Sequence, residues 1–291
     1  MHSLLVVLIV LGLFCGLVSA QAPAAGPVSA TVTKDVIYGR AGGVALRLDA
    51  SVPAGDGPHP AVILVHGGGW QGGDKSNFRA LFEPLTQAGY AWFSVNYRLA
   101  PKFPFPACVD DVETAVQWVK AHAAEYNVDP DRIALLGESA GGHLVELVTA
   151  RAGDKSPLRP AAVVALYAPS DLHALAKATQ ARGIPIAPML RSLFGLDKWD
   201  AAAEGMLRAM SPVTHVRAGL PPFLLLHGTA DQLVPIAQST AFQAACQAVG
   251  VPCDLITVEG GPHGMMFWNL MDPSYKGKIL AFLERQLKAK A

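Results

Sequence analysis

The sequence predicts an α/β fold in which helices cover both faces of a mostly parallel central sheet. The chain of 291 residues is 51% hydrophobic and 16% charged, which provides enough apolar side chains for one large core. Short continuous apolar runs, of which residues 61–65 are typical, indicate strands that are buried on both faces. Helical patterns lie between these runs, and this alternation is characteristic of βαβ units.

The individual elements follow from the same patterns. Residues 32–38 and 44–52 alternate apolar and polar side chains, as half-buried antiparallel strands do. Buried strands are predicted at 61–65, 91–95, 133–136, 162–167, 223–226 and 255–258, and helices at 78–88, 109–123, 141–150, 236–249 and 275–288. Residues 171–215 break the alternation with a helical composition, so we expect a helical cap insertion that roofs the site.

The N-terminal residues have the features of an export signal. The apolar run from Leu4 to Val18 ends in small residues, which predicts a signal peptide at 1–20. A membrane anchor is the alternative, since no Lys or Arg precedes the run, although the run is short for a span of about 20 residues. Residues 21–31 are predicted to be a disordered lead-in, and residues 32–291 a single domain. We therefore expect a secreted or periplasmic protein with no stable membrane insertion after cleavage.

The charge balance and the cysteine content limit the classes of binding partner and cofactor that the sequence predicts. Lysine plus arginine and aspartate plus glutamate are balanced at 23 each, so no net field attracts nucleic acid or an anionic membrane. No histidine or cysteine cluster has metal-ligand spacing, and we expect neither a metal nor a cofactor. In an oxidising compartment Cys246 and Cys253 could form a disulfide across a turn, with two free thiols as the alternative. The oligomeric state is left open.

The pentapeptide at residues 137–141, Gly-Glu-Ser-Ala-Gly, lies between a predicted strand and a predicted helix. Its glycines permit a strained turn that would expose the hydroxyl of Ser139 above the sheet. The turn also places Ser139 at a helix N-terminus, where backbone N–H groups favour developing negative charge. Ser139 is therefore the predicted nucleophile of an acyl-transfer reaction.

A glycine-rich loop, His66-Gly67-Gly68-Gly69-Trp70, directly follows the buried strand at 61–65. Consecutive glycines allow backbone N–H groups to converge on one point without interfering side chains, as an oxyanion hole requires. We expect Gly68 and Gly69 to supply two of its donors and Ala140 the third.

A serine nucleophile needs a base, and the base needs a carboxylate that orients it. Asp231 and His263 follow the predicted strands at 223–226 and 255–258, so both lie at strand carboxyl ends, on the same edge as Ser139. The order Ser, Asp, His is that of α/β-hydrolases. His227 is the competing candidate for the base.

Several motifs together make the chain resemble a known group of enzymes. They are the glycine-rich loop, Gly73-Asp74-Lys75, Asn96-Tyr97-Arg98-Leu99, Phe105-Pro106-Ala107, Asp129-Pro130 with Arg132-Ile133, residues 137–143, and His227-Gly228 with Asp231. They resemble the α/β-hydrolase esterases and lipases related to hormone-sensitive lipase, most closely the bacterial acetylxylan and feruloyl esterase-like branch. The resemblance covers residue 32 to the C-terminus.

This resemblance implies a serine esterase that deacylates acetylated or feruloylated plant polysaccharide or small short-chain esters. Trp70, Glu138, Phe267 and Trp268 are candidate substrate-pocket residues, although Trp70 could instead pack under its loop and Glu138 could pair with a neighbour below the turn. An arylformamidase-like amidase and a general short-chain carboxylesterase are the alternatives, and an inactive hydrolase-fold binding module is a more remote one.

Overall fold

A computed structural model describes residues 28–154 and 156–288, which fold around one eight-stranded sheet. Its strands are β1 (Ala30–Ala41), β2 (Val44–Pro53), β3 (His59–Val65), β4 (Ala91–Val95), β5 (Val128–Glu138), β6 (Ala162–Leu166), β7 (Phe223–Gly228) and β8 (Cys253–Val258). Their order in the sheet is β1-β2-β4-β3-β5-β6-β7-β8. In the described ranges, the only antiparallel pairs are those of β2 with β1 and with β4. The predicted fold class, a mostly parallel α/β sheet, is confirmed.

Helices cover both faces of the sheet. The α-helices are α1 (Arg79–Gln87), α2 (Ala107–Ala121), α3 (Ala140–Arg151), α4 (Leu172–Ala181), α5 (Ala187–Phe194), α6 (Ala201–Ala209), α7 (Ala237–Ala248), α8 (Trp268–Met271) and α9 (Tyr275–Leu287). Short 3-10 helices lie at Lys75–Phe78, Pro212–His215 and Met265–Phe267. Apolar side chains of α1 and α9 join the core on one face, and those of α2, α3 and α7 join the core on the other.

The buried side chains of strand β3 fix the position of its carboxyl end. Successive side chains of a strand point to opposite faces, and accordingly Ile63 and Val65 join one core whereas Val62 and Leu64 join the other. All of them are fully buried, and each burial is worth roughly 1.5 to 3 kcal/mol. The loop that follows Val65 therefore starts from a fixed point.

The predicted cap insertion contains α4, α5 and α6 followed by the 3-10 helix at Pro212–His215. It packs onto the domain through apolar contacts, since Leu190 and Leu193 are buried and the rings of Phe194 and Phe105 stack at 5.2 Å. The backbone N–H of Phe105 also donates to the carbonyl of Leu193. The cap is therefore attached to the segment that leads into α2.

Some predicted boundaries need correction. The sequence predicts a lead-in that extends to residue 31, but β1 begins at Ala30 because Ala30 and Thr31 pair with Pro53 and Val52 of β2. The predicted signal peptide lies outside the described residues. Within 28–154 and 156–288, no helix has the length and apolar character needed to cross a bilayer.

The possible disulfide between Cys246 and Cys253 is absent, and both residues are free, buried thiols. Cys246 lies near the end of α7 and Cys253 begins β8, so the turn does bring the two together. The hydrogen bond with Cys246, followed by burial, raises the pKa of the Cys253 thiol. Because disulfide exchange requires a thiolate, this environment makes Cys253 a slow participant in thiol–disulfide exchange.

Candidate active site

The three predicted triad residues meet at the carboxyl edge of the sheet. Ser139 follows β5, Asp231 lies three residues beyond the end of β7, and His263 lies on the loop after β8. Parallel strands β5, β6, β7 and β8 are consecutive in the sheet, which brings their following loops to one edge. The fold thus assembles side chains that are far apart in the sequence.

The turn that carries Ser139 is tight and strained. Ser139 has a φ of 50° and a ψ of −118°, a conformation that L-residues rarely adopt, and it leads directly into α3. A side chain at Gly141 would overlap the carbonyl oxygen of Val65, so only glycine permits this approach of α3 to β3. The Ser139 N–H donates to the carbonyl of Leu166 at 2.8 Å, which attaches the turn to β6.

Ser139, His263 and Asp231 form a continuous hydrogen-bonded chain. The hydroxyl of Ser139 lies 2.9 Å from Nε2 of His263, and Nδ1 of His263 lies 2.7 Å from Oδ2 of Asp231. A carboxylate can only accept, so Nδ1 carries the proton and Nε2 is the acceptor for the serine hydroxyl. The side chain of His263 is 19% exposed, whereas that of Asp231 is fully buried.

The buried carboxylate of Asp231 is held in its ionised form. Its Oδ1 accepts hydrogen bonds from the backbone N–H groups of Leu233 and Val234, both at 2.9 Å. Burial opposes ionisation, but the hydrogen bonds from His227, His263 and the backbone outweigh it and hold the pKa of Asp231 well below its usual range. Asp231 is therefore an anion that orients His263 across the neutral pH range.

His227, the competing candidate for the base, lies behind Asp231. Its ring is fully buried, with Nδ1 2.7 Å from Oγ of Ser239 and Nε2 2.8 Å from the carbonyl of Val234. The same Nε2 is 3.4 Å from Oδ2 of Asp231. Both ring nitrogens are engaged with groups other than Ser139, so His227 supports the acid and His263 is the ring that contacts the nucleophile.

The glycine-rich loop lies against the nucleophile turn. A Cβ built on Gly67 would be 3.2 Å from Cβ of Ser139, which shows how closely the loop approaches. Gly68 and Gly69 both have positive φ, at 113° and 61°. Among the described residues, no acceptor pairs with the N–H groups of Gly68, Gly69 or Ala140. These three donors are thus free to bind an oxyanion beside Ser139.

Trp70 packs beneath this loop and does not line an open pocket. It is 7% exposed, and its indole N–H donates to Nδ1 of His143 at 3.3 Å. The other ring nitrogen of His143, Nε2, lies 2.7 Å from the carbonyl of Met210 at the end of α6. His143, on α3, therefore connects the glycine-rich loop to the cap.

Acid conditions are expected to destabilise the fold through His143. Burial lowers the pKa of His143 to about 4, and its hydrogen bond with Met210 offsets this only in part. The unfolded chain binds a proton near pH 6.5, so stability is lost as the pH falls from about 6.5 to 4 and then levels off. The expected loss is about 3 kcal/mol, measured as the free energy of unfolding in denaturant at pH 7 and pH 4.

The His143→Asn variant isolates this contribution, because asparagine can still accept from Trp70 but does not titrate in this range. Its stability should be lower at pH 7 and should fall by about 3 kcal/mol less on acidification. An unchanged difference between the two pH values in the variant would show that other groups cause the acid sensitivity.

The remaining pocket candidates separate into buried and exposed groups. Trp268 is fully buried and donates to the carbonyl of Pro262, so it supports the His263 loop rather than lining a pocket. Phe267 is 51% exposed and ends the short 3-10 helix that follows the His263 loop. Glu138 accepts a hydrogen bond from the hydroxyl of Tyr167 at 2.5 Å, which favours the pairing role below the turn.

The sequence analysis does not predict Tyr167 as a site residue. Tyr167 belongs to no motif and is marked only by its position directly after β6.

In the part of the chain that the structure describes, no group of three or more His, Cys, Asp or Glu side chains could hold a metal ion. The expectation that the protein needs no metal stays a prediction.

Comparison with known structures reveals close similarity over most of the chain. A truncated carbohydrate esterase from gut microbiota is 25% identical with a TM-score of 0.76, and the alignment covers 91% of this chain and 99% of that one. Esterase Est2 from the planctomycete Thermogutta terrifontis is 28% identical with a TM-score of 0.71, covering 91% and 95%. Est2 has also been solved with propionate or butyrate bound and phosphorylated by paraoxon.

Sequence comparison agrees with the structural likeness. LipM of Mycobacterium tuberculosis, described as a probable carboxylic ester hydrolase, is 35% identical over 195 residues. That match covers 64% of this chain and 44% of LipM, so the chain spans less than half the length of this relative. A profile of the family described as BD-FAE matches residues 48–246. This match confirms the predicted family resemblance, and the chain belongs to the BD-FAE family of esterase-like α/β-hydrolases.

Proposed function

We propose that the protein is a serine carboxylic ester hydrolase that forms an acyl-enzyme on Ser139. The observation that carries this proposal is the hydrogen-bonded chain from Ser139 through His263 to Asp231, at 2.9 and 2.7 Å. Ester hydrolysis requires a nucleophile, a base with a fixed tautomer and donors for an oxyanion, and one edge of the sheet provides all three. Membership of the BD-FAE family supports the same chemistry.

In the proposed reaction, Nε2 of His263 takes the hydroxyl proton as Oγ of Ser139 attacks the ester carbonyl carbon. The negative charge that develops on the carbonyl oxygen is bound by the free N–H groups beside the nucleophile, and removal of one such donor costs roughly 3 to 4 kcal/mol of transition-state stabilisation. His263 then donates its proton to the departing alcohol, and water releases the acyl group by the reverse sequence. Asp231 stabilises the imidazolium in both halves.

We propose acetylated or feruloylated plant polysaccharide, or small short-chain esters, as the substrates. The likeness to a carbohydrate esterase supports the former, and Est2 with bound propionate or butyrate supports short acyl groups. Exposed apolar side chains close to the base in sequence also support an aromatic acyl group, because Met266 and Phe267 are 80% and 51% exposed. Apolar side chains at this position suit the ring of a ferulate.

The substrate proposal is tested by kcat/KM on a panel of acetyl, butyryl and feruloyl esters together with acetylated xylan fragments. We expect release of acetate or ferulate from xylan fragments. Activity confined to short synthetic esters would reject the polysaccharide and leave a general short-chain carboxylesterase.

An arylformamidase-like amidase is the second candidate, because the same triad can cleave an amide. Rates on an aryl ester and the matching anilide separate the two reactions. We expect the ester to react far faster, because an aryloxide is a much better leaving group than the amine of an anilide. Comparable rates would favour the amidase.

Export is a separate proposal that rests on residues 1–20. N-terminal sequencing of protein collected outside the cytoplasm should begin at Gln21. An intact Met1 on that material would reject cleavage at this site.

A further inference from the structure

Tyr167 occupies an unusual position at the carboxyl edge of the sheet. It is the first residue after β6 and has a φ of 41°, which is rare for any residue with a side chain. Its N–H donates to the carbonyl of Leu226 at 2.7 Å, and its side chain is 1% exposed. Strained backbone of this kind persists where surrounding contacts enforce it, and it is concentrated at functional sites.

The hydroxyl of Tyr167 connects two loops. It donates to Oε2 of Glu138 at 2.5 Å and accepts from the backbone N–H of Met265 at 3.3 Å. Met265 lies two residues after His263, and Glu138 precedes Ser139 directly. The base loop and the nucleophile turn are therefore held together by one phenol.

The carboxylate of Glu138 extends this connection to a third loop. Its Oε1 accepts from the N–H of Gly67 at 3.4 Å, at the start of the glycine-rich loop. The N–H of Gly67 is thereby fixed, and the following two N–H groups remain free of acceptors in the described residues. One Tyr–Glu pair thus contacts the loops that carry the base, the nucleophile and the oxyanion donors.

The ring of Tyr167 also contacts the base itself. The ring centroids of Tyr167 and His263 are 4.8 Å apart at an interplanar angle of 66°, an edge-to-face arrangement. Asp231 holds the imidazole at Nδ1, and the phenol ring limits its rotation from the side. Burial, and next the charge of Glu138, raise the pKa of Tyr167, so the phenol remains a donor at working pH.

We propose that Tyr167 and Glu138 act as a positioning pair, which keeps the His263 loop and the glycine-rich loop aligned with Ser139. This inference rests on the proposed esterase function. The hydrogen bonds of the pair go to backbone groups and to each other, and Tyr167 meets His263 only through ring packing. Loss of the pair should therefore misalign the transition state and leave binding of the ground state almost unchanged. A displacement of about 1 Å at a reacting centre can cost roughly 100-fold in rate.

The test is the Tyr167→Phe variant, which keeps the ring against His263 and removes only the hydroxyl. We expect kcat on an aryl acetate to fall about 10- to 100-fold while KM changes less than about twofold. Active sites are counted by titration with a fluorophosphonate, so that kcat refers to folded, reactive enzyme. The matched control is Tyr275→Phe, because the hydroxyl of Tyr275 is buried in the same core and has no hydrogen-bond partner among the residues that the structure describes. The kcat of this variant should not change.

A double-mutant cycle with Glu138→Gln tests whether the two residues act as one unit. The amide can still accept from Tyr167, but its NH2 group then faces the N–H of Gly67, so this variant should also lose kcat. The double variant should be little worse than the worse single variant. Fully additive losses, or a Tyr167→Phe variant with wild-type kcat, would reject the positioning pair in an active enzyme. Absence of turnover in the wild type would instead reject the proposed function.

Discussion

Replacing Ser139 with alanine is expected to lower kcat by about 10^6-fold on every ester that the protein hydrolyses. Without Oγ the covalent step cannot occur, and only substrate binding and the oxyanion donors remain to assist direct attack by water. The measurement is kcat of purified Ser139→Ala protein on an aryl ester, with circular dichroism to establish that the variant is folded.

Ser192→Ala is a suitable control for that experiment. Ser192 lies on α5 of the cap, and its buried hydroxyl has no hydrogen-bond partner within the described part of the chain. Removal of this hydroxyl should leave turnover unchanged. Wild-type turnover in the Ser139→Ala variant would overturn the proposed mechanism.

The Asp231→Asn variant is expected to lose about 10^4-fold in kcat, because it imposes the wrong tautomer on His263. Oδ1 of Asp231 accepts from two backbone N–H groups, at Leu233 and Val234. An asparagine must therefore keep its oxygen there and turn its NH2 group towards Nδ1 of His263. Nδ1 then becomes an acceptor, Nε2 carries the proton, and the ring can no longer accept the proton of Ser139.

The Asp231→Asn loss is measured as kcat at neutral pH and compared with that of Asp254→Asn. The carboxylate of Asp254 is 70% exposed on β8, so its neutralisation should have little effect. Activity of Asp231→Asn within tenfold of the wild type would show that His263 does not depend on this carboxylate for its orientation.

Much of the site could be predicted from local signals in the sequence. Ser139, Asp231 and His263 each follow an apolar strand, and the carboxyl ends of parallel strands meet at one edge whatever the details of packing. Gly68 and Gly69 of the glycine-rich loop are marked by an equally local signal, because their positive φ angles favour glycine. These residues can therefore be predicted from the sequence without knowledge of any tertiary contact.

Other features depend on contacts between distant segments and could not be predicted. Tyr167 has no motif, and its role is apparent only once β6 lies between β5 and β7 and its hydroxyl meets Glu138 and the loop of His263. Trp70 and Trp268 are aromatic residues beside the site in sequence, yet packing against His143 and beneath Pro262 buries both.

The acyl-enzyme on Ser139 is tested most directly by mass spectrometry of the protein after reaction with a fluorophosphonate. We predict one adduct per chain in the wild type, mapped by peptide sequencing to Ser139, with loss of esterase activity in proportion to labelling and no adduct in Ser139→Ala. Full esterase activity in unlabelled protein, or inactivation by an adduct on a different residue, would contradict the account.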